Sequence, residues 1–292
     1  MKFIIAVPEE FSFQFSLDFL RRSPRELLHR IKDQKVRKLI KVGSQDILFE
    51  LSQHLEGLQV EILNAELLPQ EVEHVAGFIR EWFDLDTDLK PFYALALNDK
   101  LLKELTIRFY GYRIVGQPDL FESLIWAVLG QQINVQFAFT LKARFVEQFG
   151  SKLIFEDDDY YLFPKPETIA LLTDDHLLPL QFSRQKSKYT VLIAEAFANM
   201  EITKDKLKDL PFEEARDRLV KIKGVGNWTA NYALMKTFHY PDAFPLEDVG
   251  VHNAIRILKK MKRKPTLEEV KRIFRKYKGW EAYATLYLWK SL

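Results

Sequence analysis

Residues 221–232 read KIKGVGNWTANY, and two glycines around a single valine constrain this chain more than any other feature. The stretch before them, PFEEARDRLVKI, and the stretch after, NWTANYALMKTF, both carry apolar residues at helical spacing. A helix ending near Ile222, a turn KGVG and a second helix from Asn227 make a helix–hairpin–helix. Gly224 and Gly226 admit positive φ without steric cost and leave no side chain between backbone and an approaching molecule. The first amides of the second helix lack acceptors within it, and the helix dipole adds partial positive charge. An anion fits there, and a nucleic-acid phosphate is the natural one. An ordinary corner between two helices with a glycine cap would share the same letters.

The remainder has two textures. Up to about Leu68 the sequence alternates between strands and helices. KFIIAV, VRKLIKV and LQVEIL read as strands, and DILFELSQ alternates Ile47, Phe49 and Leu51 with polar residues, predicting a strand buried on one face. Helices are expected around Leu17 to Arg22 and from Arg25 to Lys32. From Pro69 onward nearly every segment reads helical. Asp119, Asn134, Ser183, Asp248 and Thr266 stand as N-caps, with Glu122 and Glu269 placed to close capping boxes. The expected fold is an α+β N-terminal domain over residues 1–72, a small antiparallel sheet with helices, followed by an all-α domain over residues 73–292.

Composition excludes several chemistries. None of the 292 residues is cysteine, so disulfides, thiolate zinc sites, iron–sulfur clusters and cysteine nucleophiles are absent. The six histidines have no paired spacing, so no metal site is expected. Apolar runs fall well short of the roughly 18 to 20 residues that span a bilayer, and a cytoplasmic protein without membrane contact is expected. Net charge is only +2, but Arg21 to Lys41 and Arg256 to Lys278 are strongly basic, which a polyanion would sense locally.

Beyond the hairpin, DAFPLEDVGVHNAI places Asp248 at the start of the next helix, where a cap alone would explain it. The combination of IKGVGNWTANYALM, this aspartate at its spacing, FESLIWAVLGQQINV upstream and WEAYATLYLW at the end resembles the helix–hairpin–helix DNA glycosylases. Within them it resembles the 3-methyladenine DNA glycosylase II group. The resemblance covers about residues 104–292 and, more weakly, residues 1–72.

The resemblance implies base release from alkylated purines in duplex DNA, by a monomer, with Asp248 as the indispensable acid. It places Trp228, Tyr232, Trp289 and Phe19 around the extruded base. Lys223, Gly224, Val225 and Gly226, with Thr229 on the following turn, are expected to meet the DNA backbone. Gln132 in the GQQIN turn matches the wedge that fills the vacated stack, with Gln131 and Ile133 as neighbours that would serve. Strand-cutting relatives carry a Schiff-base lysine at the second position after the hairpin; here it is Trp228, so a monofunctional enzyme is expected. Val249 and Lys290 stand where a well-known member is aromatic. A glycosylase for oxidised or deaminated bases and a non-catalytic DNA-binding protein are the competing expectations.

Overall fold

The computed structural model describes residues 1–292. Five strands, β1 (Lys2–Ile5), β2 (Arg30–Lys32), β3 (Lys35–Val42), β4 (Gln45–His54) and β5 (Gly57–Ile62), form an antiparallel sheet in the order β1-β5-β4-β3-β2. β3 and β4 pair from Val36 opposite Leu51 to Val42 opposite Gln45, and the turn between them uses Gly43 at φ +57°. The helix Pro69–Phe83 lays Val75, Ile79, Trp82 and Phe83 on one face of the sheet, a stripe set by helical period. Phe13, Leu17 and Leu20 of the helix Phe13–Leu20 complete that core. The helix Pro69–Phe83 runs across residue 72, and its buried side belongs to the sheet.

Two local expectations are corrected. Residues 25–29 form no helix, and Arg30–Lys32 instead pairs with β3 as an edge strand. The period-two pattern of β4 predicted one buried face, yet Ile47 to Leu51 are buried without interruption. The cause is a second hairpin, β6 (Lys152–Phe155) and β7 (Asp158–Tyr161), lying within the part expected to be helical. Its Tyr160 packs with Leu39 and Leu48 on the outer face of the sheet. Arg30 pairs with Asp158 at 3.2 Å and Arg37 with Glu156 at 2.7 Å, so part of the basic run at 21–41 is neutralised internally.

The helical part is built around the central helix Leu120–Gly130, buried on every side from Leu120 to Leu129, as the apolar run Leu124–Leu129 requires. It packs against the helices Arg184–Ala198 and Asn227–Phe238. Asp119, Asn134, Ser183, Asp248 and Thr266 all cap helices as expected. Glu122 departs from expectation: its carboxylate accepts from Lys142 Nζ at 2.9 Å rather than closing a capping box. Lys142 also donates to Glu26 at 3.1 Å, tying the helical part to the segment before β2. Buried Arg113 makes a second tie, donating to the carbonyls of Glu10 (2.7 Å) and Thr87 (2.8 Å). Between Glu10 and Glu26 in sequence, Phe15 of the helix Phe13–Leu20 packs on Phe109 and Tyr112 of the helical part, with ring centroids 5.8 and 6.2 Å apart. No helix is long and apolar enough to cross a membrane.

Candidate active site

The hairpin forms between the helices Phe212–Val220 and Asn227–Phe238. Gly224 has φ +101°, and a Cβ there would lie 2.5 Å from Cγ of Tyr189, so glycine is required twice over. Gly226 differs from the expectation: its φ is −84° and a Cβ would meet nothing, so it keeps the surface open rather than permitting a turn. Val225 is buried and its amide donates to the Ile222 carbonyl at 3.0 Å, which makes it the plug that seats the hairpin. The amides of Asn227, Trp228 and Thr229 have no acceptor within the protein. Lys221 and Lys223 are exposed beside them and unpaired.

Asp248 caps the helix Val249–Leu258, and Oδ1 accepts the Val251 amide at 2.9 Å. Two indoles also donate to it. Trp289 Nε1 lies 2.8 Å from Oδ1, and Trp228 Nε1 lies 3.0 Å from Oδ2. The carboxylate is half-buried and fixed by three N–H groups from three helices, a far more constrained setting than a cap alone needs. Gly250 permits this packing: a Cβ there would sit 2.9 Å from Asp248 Oδ1 and 3.0 Å from Cδ1 of Trp289. Glu247 points away, toward the Asn227 amide group at 3.4 Å.

The rings around Asp248 form one cluster. Trp228 and Tyr232, one turn apart, stack at 5.3 Å and 19°, and Trp289 lies 6.4 Å from Tyr232. Trp126 of the central helix donates Nε1 to the Tyr232 hydroxyl at 2.9 Å, and Phe139 packs on Trp126 at 4.7 Å. Burial pushes the Tyr232 phenol pKa above its ordinary value, against the pull of nearby Arg22. Met235, which shares the helical stripe in sequence, lies instead in the main core. Tyr283 is a core residue too, and the partly buried Trp280 packs with it on Phe92.

Phe19 lines a cavity of about 50 Å³ with Trp126 and Phe139 of this cluster, and Trp228, Tyr232, Trp289 and Asp248 do not line it. The Arg22 guanidinium lies 3.9 Å from the Phe19 ring centroid and Lys236 Nζ 4.7 Å, so cations of the protein already use that ring. Val249 is exposed, and Lys290 turns among Phe15, Phe109 and Tyr112 at 5.1–5.7 Å.

In the GQQIN turn Gln132 is exposed at φ +58°. Its neighbour Gln131 donates to the Thr229 hydroxyl at 3.1 Å. Thr229 is buried, and its hydroxyl supports the turn by accepting from Gln131. Trp126, Phe139, Gly250 and Arg22 were not singled out from the sequence. Trp126 was hidden inside an apolar helix, and Gly250 carried the one available signal, a glycine just inside a helix start.

The family described as "HhH-GPD superfamily base excision DNA repair protein" matches residues 125–279, which hold the hairpin, Trp228 and Asp248. The chain belongs to this superfamily. Residues 13–124 match the family "8-oxoguanine DNA glycosylase, N-terminal domain". A DNA-3-methyladenine glycosylase of Bacillus subtilis (strain 168) is 42% identical over 99% of this chain and 96% of its own. Among solved structures, a 3-methyladenine DNA-glycosylase from Archaeoglobus fulgidus superposes with a TM-score of 0.85 at 24% identity, covering 99% of this chain and 97% of that one. The Clostridium acetobutylicum 8-oxoguanine glycosylase/lyase, solved with double-stranded DNA, does so with a TM-score of 0.77 at 21% identity, covering 99% and 96%. These two likenesses establish the shared fold.

Proposed function

We propose that this chain is a monofunctional DNA glycosylase that hydrolyses the N-glycosidic bond of alkylated purines, of the 3-methyladenine and 7-methylguanine type, in duplex DNA. The observation that carries this reading is the Asp248 carboxylate, held by Trp228, Trp289 and the Val251 amide beside the hairpin. The Bacillus subtilis relative, named for the same activity, agrees along nearly the whole chain.

The hairpin and the free amides of Asn227, Trp228 and Thr229 take backbone phosphates without reading sequence. The damaged nucleotide must leave the stack to be reached, and Gln132 on its exposed turn fills the gap. The base enters among Trp228, Tyr232 and Trp289, where a cationic alkylpurine gains about 0.5–2 kcal/mol per ring face. When the bond from C1′ to the base nitrogen breaks, its electron pair leaves with the base and positive charge grows on the sugar. A fixed carboxylate stabilises that state more than the ground state. For unit charges about 4 Å apart at an effective dielectric near 20 this is roughly 4 kcal/mol, about three powers of ten in rate. Water then adds its oxygen to C1′, loses a proton to solvent and leaves an abasic site. Trp228 presents an indole N–H where a Schiff-base lysine would be needed, so the strand stays uncut. The enzyme acts as a monomer in the cytoplasm, with neither metal nor organic cofactor.

One observation favours a second reading, release of oxidised bases: the match of residues 13–124 to the N-terminal domain of 8-oxoguanine DNA glycosylases. Base release from methylated, 8-oxoguanine-containing and uracil-containing duplexes separates the two. The first reading predicts release from methylated DNA alone at an appreciable rate. Faster release of 8-oxoguanine would overturn it.

A further inference from the structure

Lys186 is buried on the helix Arg184–Ala198, with 8% of its surface exposed and no carboxylate within ion-pair distance. Isolated buried cations are costly and are normally paired. Here the ammonium donates to two backbone carbonyls, Val128 at 2.9 Å and Gln131 at 2.7 Å. Both lie at the C-terminal end of the central helix, where the negative end of the dipole attracts a cation, and the Val128 carbonyl also accepts the Gln131 amide at 3.2 Å. Burial pushes the Lys186 pKa down to about 8.

The two carbonyls bracket the start of the turn that exposes Gln132. Gln131 is held on its other side by the Thr229 hydroxyl at 3.1 Å, and Asn134 closes the turn by accepting the Phe137 amide at 2.9 Å. Gln132 between these anchors sits in the left-handed region at φ +58°, which a glutamine occupies only when its neighbours fix it. A wedge does work on the duplex and therefore needs a rigid base. We propose that Lys186 is a positioning residue that locks the GQQIN turn, so that Gln132 is presented to the stack and not deflected by it. This rests on reading Gln132 as the wedge of a base-extruding protein.

The test uses the intact chain and a duplex with 2-aminopurine beside a 7-methylguanine, whose fluorescence rises when the neighbouring stack opens. At saturating wild-type protein the signal rises. Lys186→Met keeps the stem but removes the donor, and should lower the unstacked population about tenfold, as expected for losing charge-assisted hydrogen bonds. DNA affinity should change less than about twofold, since phosphates are gripped elsewhere. Lys186→Arg, which can still donate to both carbonyls, should restore the signal. Should Lys186→Met fail to fold, Lys186→Gln replaces it, with the same loss expected. Wild-type fluorescence from either uncharged variant, or no rise with wild-type protein, would overturn the proposal. Base release from the same duplex reports on the glycosylase reading separately: opening without release leaves the role of Lys186 standing and removes the chemistry.

Discussion

Trp228 Nε1 donates to Asp248 Oδ2 at 3.0 Å, so an indole from the first turn after the hairpin fixes the orientation of this carboxylate. The same indole stacks on Tyr232. One side chain thereby links the hairpin, the ring cluster and the carboxylate.

Trp228→Phe keeps a ring but deletes the donor. A hydrogen bond to a charged group contributes about 1.5–3 kcal/mol, so base release should fall roughly 10- to 100-fold. DNA affinity should be unchanged, because the amides that meet phosphate belong to the backbone. Single-turnover release together with a binding titration checks both halves.

Gly250→Ala puts a methyl group 2.9 Å from Asp248 Oδ1 and 3.0 Å from Trp289 Cδ1. One of the two must move, and a displaced acid or indole should cost about tenfold in release. Only this neighbourhood is crowded, so thermal stability should fall by a few degrees at most.

The two hairpin glycines should separate stability from binding. Gly224→Ala meets Tyr189 at 2.5 Å with φ +101° and should destabilise by about 2–4 kcal/mol, a drop of roughly 4–16 °C in Tm for a chain of this size. Gly226→Ala meets open space and should leave Tm within about a degree. On the proposed reading its methyl group would stand in the path of a phosphate, so DNA affinity should weaken. Thermal melts and binding titrations of both variants decide this.

The hairpin and Asp248 were legible in sequence because each is a local device. A positive-φ glycine and an N-cap are both fixed by a few neighbouring residues. The β6–β7 hairpin was not, although KLIFEDDDYYLF carries two β-rich flanks around a turn. Glu156 and Asp157 adopt φ of +48° and +65° there without a glycine to announce it. Residues 25–32 read as a helix by spacing, but pairing of Arg30–Lys32 with β3 overrode that preference. Trp126 and Lys186 act through residues distant in sequence, Tyr232 and Gln131, and no local pattern encodes such contacts. Thr229 was placed at the DNA surface by its position after the hairpin, yet its side chain faces inward to Gln131.

The tie between the sheet region and the helical region should be sensitive to acid. Burial alone would raise the Glu26 pKa, but Lys142, His29 and the Leu28 amide outweigh it and hold it at about 2, below the ordinary 4.5. Burial pushes His29 from 6.5 down to about 4. For both groups the unfolded chain binds protons before the folded one does, so stability falls as pH falls. The His29 contribution is lost from about 6.5 down to 4, and that of Glu26 from about 4.5 down to 2. Melting temperatures measured from pH 7 to pH 4 should decline throughout, and His29→Gln should flatten the upper part of that decline. A Tm independent of pH across this range would contradict the linkage.

On the proposed reading one carboxylate, that of Asp248, makes the chemistry possible. Single-turnover release of 3-methyladenine from methylated duplex DNA by Asp248→Asn tests it most directly, because the amide keeps the shape and removes the charge. The account predicts a loss of about a thousandfold or more in rate with DNA affinity retained. Release at the wild-type rate would contradict it.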